Sequence, residues 1–130
     1  RAFAPRMRAG GASIVLVSSI ASRTAGQLAS FAGYAASKAA VSHLAEVLGV
    51  EWARHKIRVN AVEPGYTATD AIKQLEANAP EVAAGLLAKI PMRRFLLPEE
   101  IGNAITFLLS DLSSAMTGSV LIADGGISAV

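Results

Sequence analysis

Short apolar, β-branched runs alternate along this chain with longer stretches in which apolar residues return every three or four positions. Ser13–Val17 (Ser-Ile-Val-Leu-Val) follows two glycines and predicts a buried strand. Residues 18–31 are rich in Ser, Ala, Gly and Thr without a firm period, which predicts a loop leaving the strand's C-terminal end. From Tyr34 to about Ala53 the chain is alanine-rich, and Val41, Leu44, Leu48 and Trp52 recur at helical spacing. Ile57–Val62 predicts a second strand, with Arg58 and Asn60 alternating against Val59 and Ala61, and Pro64-Gly65 ends it. Thr69 to Lys89 reads as helix interrupted at Pro80, and Pro91 and Pro98 bracket a loop.

Pro98-Glu99-Glu100 opens another helix, with proline in the first turn and acids at its positive end. Its expected apolar stripe is Ile101, Ala104, Ile105, Leu108 and Leu109. Ser119–Ala123 predicts a third strand, closed by Asp124-Gly125-Gly126. Arg1 to Arg8 reads as the end of a helix stopped by Gly10 and Gly11, so the chain is expected to be a piece of a longer protein. Regular helices between buried strands imply an α/β fold with a parallel sheet and right-handed crossovers. The expectation is one partial domain over residues 1–130, without internal repeat or linker.

Composition narrows the picture. The chain is 52% hydrophobic and 17% charged, which argues against disorder. Aromatics make up 5%, so the core must be aliphatic and built from small residues. The formal charge of +2 is spread over scattered Lys and Arg with no basic stripe, so no nucleic-acid partner is expected. The absence of cysteine removes disulfides and thiolate metal sites, and His43 and His55 are too isolated to suggest a metal. No apolar run approaches the ~20 residues of a membrane span. The basic start has no apolar core of a signal peptide, which makes the cytoplasm the expected location.

Tyr34 and Lys38 are four residues apart and share a helix face. An ammonium beside a phenol favours the phenolate, a useful arrangement for proton transfer. Ser19 follows a strand, where a hydroxyl can enter a cleft at the sheet's C-terminal edge and hydrogen-bond a substrate oxygen. Taken alone, the Tyr34/Lys38 pair is weak evidence, since such spacing arises by chance on any helix and more simply fits two solvated side chains on its surface. Pro64-Gly65 equally fits an ordinary strand-ending turn, and Thr69 equally fits a helix N-cap.

Four segments together resemble one family. Ile14-Val15-Leu16-Val17-Ser18-Ser19 is similar to the strand that delivers the catalytic serine of the short-chain dehydrogenases/reductases. Tyr34-Ala35-Ala36-Ser37-Lys38-Ala39-Ala40 resembles their Tyr-x-x-x-Lys helix. Ile57 to Gly65, with Thr69-Asp70, resembles their strand and Pro-Gly turn, and Pro98 to Gly126 resembles their C-terminal helix and strand. The resemblance implies the C-terminal half of a doubly wound, Rossmann-like parallel sheet with flanking helices. It implies NAD or NADP as cofactor, a small-molecule alcohol or carbonyl as substrate, and a homo-oligomer. Tyr34 would be the general acid/base, Lys38 would assist it and bind the nicotinamide ribose, and Ser19 would polarise the substrate oxygen. Pro64, Gly65, Thr67 and Thr69 would contact the nicotinamide side of the cofactor, together with Tyr34 and Lys38.

The chain also departs from that pattern. It carries no glycine-rich dinucleotide fingerprint after a strand, since Gly10-Gly11 precedes one. The Ser19–Tyr34 interval is about two residues longer than the family's, which makes Ser22 an alternative to Ser19. Glu63 stands where the family generally has a small residue, with a carboxylate expected to point away from the pocket. Arg93 stands where a glycine is common. Two other functions remain open at this stage. One is a serine-type esterase or amidase using Ser19 with Lys38 or Tyr34 as base, although no Gly-x-Ser-x-Gly elbow is present. The other is a catalytically silent assembly piece that associates through Leu48 and Trp52.

Overall fold

The computed structural model describes Met7, residues 10–25 and residues 31–130. Three parallel strands form one sheet in the order β1 (Ala12–Val17), β2 (Ile57–Pro64), β3 (Val120–Ala123). Ala12 pairs with Ile57 at one end of the β1–β2 ladder and Val17 with Val62 at the other. Ala61 to Pro64 pair with Val120 to Ala123. Between the strands lie α1 (Ala32–Ala53), α2 (Asp70–Asn78), α3 (Pro80–Lys89) and α4 (Pro98–Leu109). The α/β class and the parallel sheet agree with the sequence pattern. The helical start expected before Gly10 lies largely outside the described residues.

β2 is the central strand and the most buried. Ile57, Val59, Ala61 and Val62 are each at most 1% exposed. Burying Ile57, Val59 and Val62 stabilises the fold by about 1.5–3 kcal/mol each. Ile57, Val59 and Ala61 cluster with Ala45 of α1, and Ile14, Leu16, Leu48 and Trp52 pack around them. On β1 the side chains of Ala12–Leu16 are only half-buried and Val17 is exposed.

α1 corrects the expected stripe. Its buried positions are Ser42, Ala45 and Gly49, whereas Leu44 is 48% exposed. At Gly49 the reason is closeness of approach: a Cβ there would stand 2.4 Å from the Gly118 nitrogen, so no larger residue fits at that point. Leu48 and Trp52, both half-buried, pack against the core. Of the expected α4 stripe, Ile101 and Leu108 are buried and Leu109 is exposed. Pro80 divides α2 from α3, as its missing N–H and fixed ring predict. The alternating polar residues of β2 are also placed. Asn60 is fully buried, bonding Met116 O and Ser119 N. Arg58 donates to the carbonyls of Leu108, Ser110 and Met116 around the end of α4.

A second cluster, Ile20, Ile90 and Ile127 with Tyr66, Leu87 and Phe95, lies beyond the strands' C-terminal ends. Because the strands run the same way, the segments that leave β1 and β2 emerge at one edge of the sheet. That edge carries the candidate site.

Candidate active site

Ser19 lies immediately beyond β1. It caps a short 3-10 turn, Ile20–Ser22, and its Oγ accepts the Ala21 N–H at 3.2 Å. A serine oxygen that accepts from its own turn keeps its hydrogen available as a donor. Tyr34 stands in the first turn of α1 and is 46% exposed. Its ring meets Phe31 edge to face, 5.3 Å between centroids. Lys38 follows one turn later. Its Nζ donates to Val17 O at 3.2 Å and lies 5.6 Å from the centre of the Tyr34 ring.

Beyond β2, Gly65 rests against Asp124, where a Cβ would come within 2.7 Å of the Asp124 Cα. The next residues are pinned to the loop before α4, since Leu96 N donates to Tyr66 O and Ala68 N to Leu96 O. Thr67 Oγ1 turns back onto Gly65 O at 3.1 Å. Thr69 stands at the N-cap of α2, but its side chain makes no capping hydrogen bond.

Ser19, Tyr34, Gly65, Thr67 and Thr69 all line one cleft of about 740 Å³. Lys38 and Pro64 are not among its lining residues; Lys38 stands behind Tyr34 on the last carbonyl of β1. Ser22, the alternative to Ser19, is turned from the cleft, with its hydroxyl donating to Glu63. Ile20, Phe31, Tyr66 and Ile72 supply an apolar lining that the sequence reading missed. Tyr66 directly follows Pro64-Gly65, and that adjacency is the one signal that could have pointed to it. Burial pushes the Tyr66 phenol above its ordinary value, so it stays neutral near neutral pH.

The cleft suits the nicotinamide end of a dinucleotide. It combines apolar walls that accept a flat ring with a few hydroxyls, from Ser19, Tyr34, Thr67 and Thr69, that give direction. The chain itself holds no glycine-rich fingerprint for the pyrophosphate. Among the described residues, no cluster of His, Asp and Glu could hold a metal ion. No described helix is long and apolar enough to cross a membrane.

Glu63 is fully buried, not in the cleft but behind it. Its carboxylate accepts from Ser22 Oγ, Arg23 Nε and Ser42 Oγ at 2.5, 2.5 and 2.6 Å. Burial alone would raise its pKa, but these hydrogen bonds outweigh burial and hold it below the ordinary carboxylate value.

A family model described as enoyl-(acyl carrier protein) reductase matches residues 1–128. A cis-4-hydroxycyclohexanecarboxylate dehydrogenase of Sinomonas cyclohexanicum is 43% identical over 122 residues, covering 94% of this chain and 47% of that protein. The galactitol 2-dehydrogenase of Rhizobium johnstonii is 46% identical over 93 residues, covering 72% of this chain and 36% of the relative. Among solved structures, a provisionally assigned NAD(P)-dependent gluconate 5-dehydrogenase of Beutenbergia cavernae has bound NADP at low occupancy. It superposes with a TM-score of 0.88 at 40% identity, covering 98% of this chain and 51% of that one. The chain thus spans about half the length of the curated relatives it matches.

Proposed function

The chain belongs to the short-chain dehydrogenase/reductase family, and from that premise we propose that it carries the catalytic half of an NAD(P)-dependent oxidoreductase interconverting an alcohol and a carbonyl. The observation that carries this reading is the cleft that Ser19 and Tyr34 share with Gly65, Thr67 and Thr69. Lys38 is fixed one helical turn from Tyr34.

In the reducing direction the Tyr34 O–H gives its proton to the substrate's carbonyl oxygen, and in the oxidising direction Tyr34 takes it back. The Ser19 O–H donates a hydrogen bond to the same oxygen and stabilises the charge that develops there. The Lys38 ammonium spends one N–H on Val17 O and keeps two for the cofactor's ribose and the neighbourhood of the phenol. Gly65, Thr67 and Thr69 hold the nicotinamide side, with Pro64 shaping the turn behind them. NAD(P)H, when bound, supplies the hydride. Assembly as a homo-oligomer belongs to the same proposal, since α1 presents Leu44, Val47 and Val50 outward.

The esterase reading gains no support from the geometry. Among the described residues, no hydrogen bond joins Ser19 Oγ to Lys38 or Tyr34. Titration of the intact protein with NADH and NADPH, followed by nucleotide fluorescence, tests the proposal. Micromolar binding of either is expected, and no binding at millimolar concentration would overturn it.

A further inference from the structure

Among the described residues only Glu63 and Asp124 are buried carboxylates. Asp124 is consumed locally, accepting the N–H groups of Gly126 and Ser128 in its own turn. Glu63 instead joins three elements. It projects from β2 and accepts from Ser22 and Arg23 of the 3-10 turn region and from Ser42 of α1. The chain of contacts continues, because Ser42 Oγ lies 2.8 Å from Ser18 Oγ, which donates to Lys38 O at 2.7 Å.

These contacts lie around Ser19. Ser22 and Arg23, after it, are tied to Glu63 directly, and Ser18, before it, stands beside Ser42, which donates to Glu63. The Ser19 side chain joins none of these contacts, its Oγ meeting the Ala21 N–H. A buried charge is retained only where donors surround it, and removing the charge leaves those donors unpaired. The turn amides depend on the same geometry: Ser22 N donates to Ser19 O, and Arg23 N and Thr24 N donate to Ile20 O.

We propose that Glu63 is a positioning residue for Ser19: its carboxylate holds Ser22 and Arg23, the end of the turn that Ser19 caps, and so fixes where the Ser19 hydroxyl stands in the cleft. The proposal rests on the oxidoreductase reading for the role of Ser19, but the holding of the turn does not.

The test combines hydrogen exchange with a double-mutant cycle on the intact protein. In Glu63→Gln, the amides of Ser22, Arg23 and Thr24 are expected to lose protection while those of β2 keep theirs. Turnover is expected to fall about 10- to 100-fold, the loss that a slightly misplaced group causes. Ser19→Ala should fall too, and Ser19→Ala/Glu63→Gln should be no slower than Ser19→Ala alone, because both changes act on one hydroxyl. Should Glu63→Gln not fold, Ser22→Ala removes one donor from the same cluster and is expected to show the same pattern more weakly. Unchanged exchange at the turn would overturn the proposal, and so would losses that multiply in the double variant. If the wild-type protein reduces no carbonyl compound at all, the oxidoreductase reading fails, and the exchange result alone decides whether Glu63 holds the turn.

Discussion

Lys38 anchors its ammonium on the carbonyl oxygen of Val17, 3.2 Å away, while lying 5.6 Å from the centre of the Tyr34 ring. One side chain therefore links the last residue of β1 to the proposed acid on α1. Lys38→Met removes the charge and keeps the apolar stem. Turnover is expected to fall about 10²- to 10⁴-fold, the usual contribution of an acid–base group. The half-exposed hydrogen bond to Val17 contributes about 1 kcal/mol, so thermal stability should change little. Steady-state kinetics beside a melting curve separates the two effects.

Gly49 and Gly118 predict a packing limit. A Cβ at position 49 would meet the Gly118 nitrogen and Cα at 2.4 and 2.6 Å, and Thr117 Oγ1 at 3.1 Å. Backbone cannot step aside as a flexible side chain can. Gly49→Ala would gain about 1 kcal/mol of helix propensity, yet overpacking costs about 1–3 kcal/mol, so a net loss is expected in urea unfolding.

Acid should weaken the fold through identifiable groups. Burial would raise the pKa of Glu63 and Asp124, but hydrogen bonds to the charged forms prevail and both lie below their ordinary values of 4.5 and 3.8. Their folded-state values are thus lower than their unfolded ones. The stability they contribute is fully present above the unfolded values and is lost as pH falls through the folded ones. Unfolding free energy should decline as the pH falls below these ordinary values, and Glu63→Gln should lower it at neutral pH while flattening that decline.

Lys56 has φ 59° in the turn between α1 and β2, a conformation that favours glycine. Left-handed backbone costs a non-glycine residue about 1–2 kcal/mol, and glycine loses part of that gain to its freer unfolded chain. Lys56→Gly is expected to raise the melting temperature modestly. An unchanged or lower value would show that the Lys56 side chain contributes more than its backbone costs.

How far the residues disclose the molecule depends on the kind of signal. β2 was legible because Ile57, Val59 and Val62 are apolar, β-branched and followed by Pro-Gly. Pro80 marked the break between helices because a missing N–H acts locally. The burial of α1 was legible in part: Leu48 and Trp52 pack against the core as their spacing suggests, but apolar spacing cannot report that Ser42, Ala45 and Gly49 are the fully buried positions. Gly49 was uninformative without Gly118, which is distant in sequence. In the candidate site, Ser19, Tyr34 and Lys38 were singled out by motif spacing, and Ser19 and Tyr34 line the cleft. The apolar lining from Ile20, Phe31 and Ile72 carried no motif, since these side chains converge only after the chain has folded. Glu63 was recognised as out of pattern, but its partners Ser22, Arg23 and Ser42 come from other elements.

The central claim is proton transfer by Tyr34 coupled to hydride transfer at a carbonyl carbon. The most direct measurement gives the intact protein NAD(P)H deuterated at the transferable position, a panel of small ketones and hydroxy-ketones, and mass spectrometry of the alcohols formed. The account predicts deuterium on the carbinol carbon with the wild-type protein, and a rate lower by about 10²- to 10⁴-fold with Tyr34→Phe. Alcohol formed without deuterium, or formed equally fast by Tyr34→Phe, would contradict it.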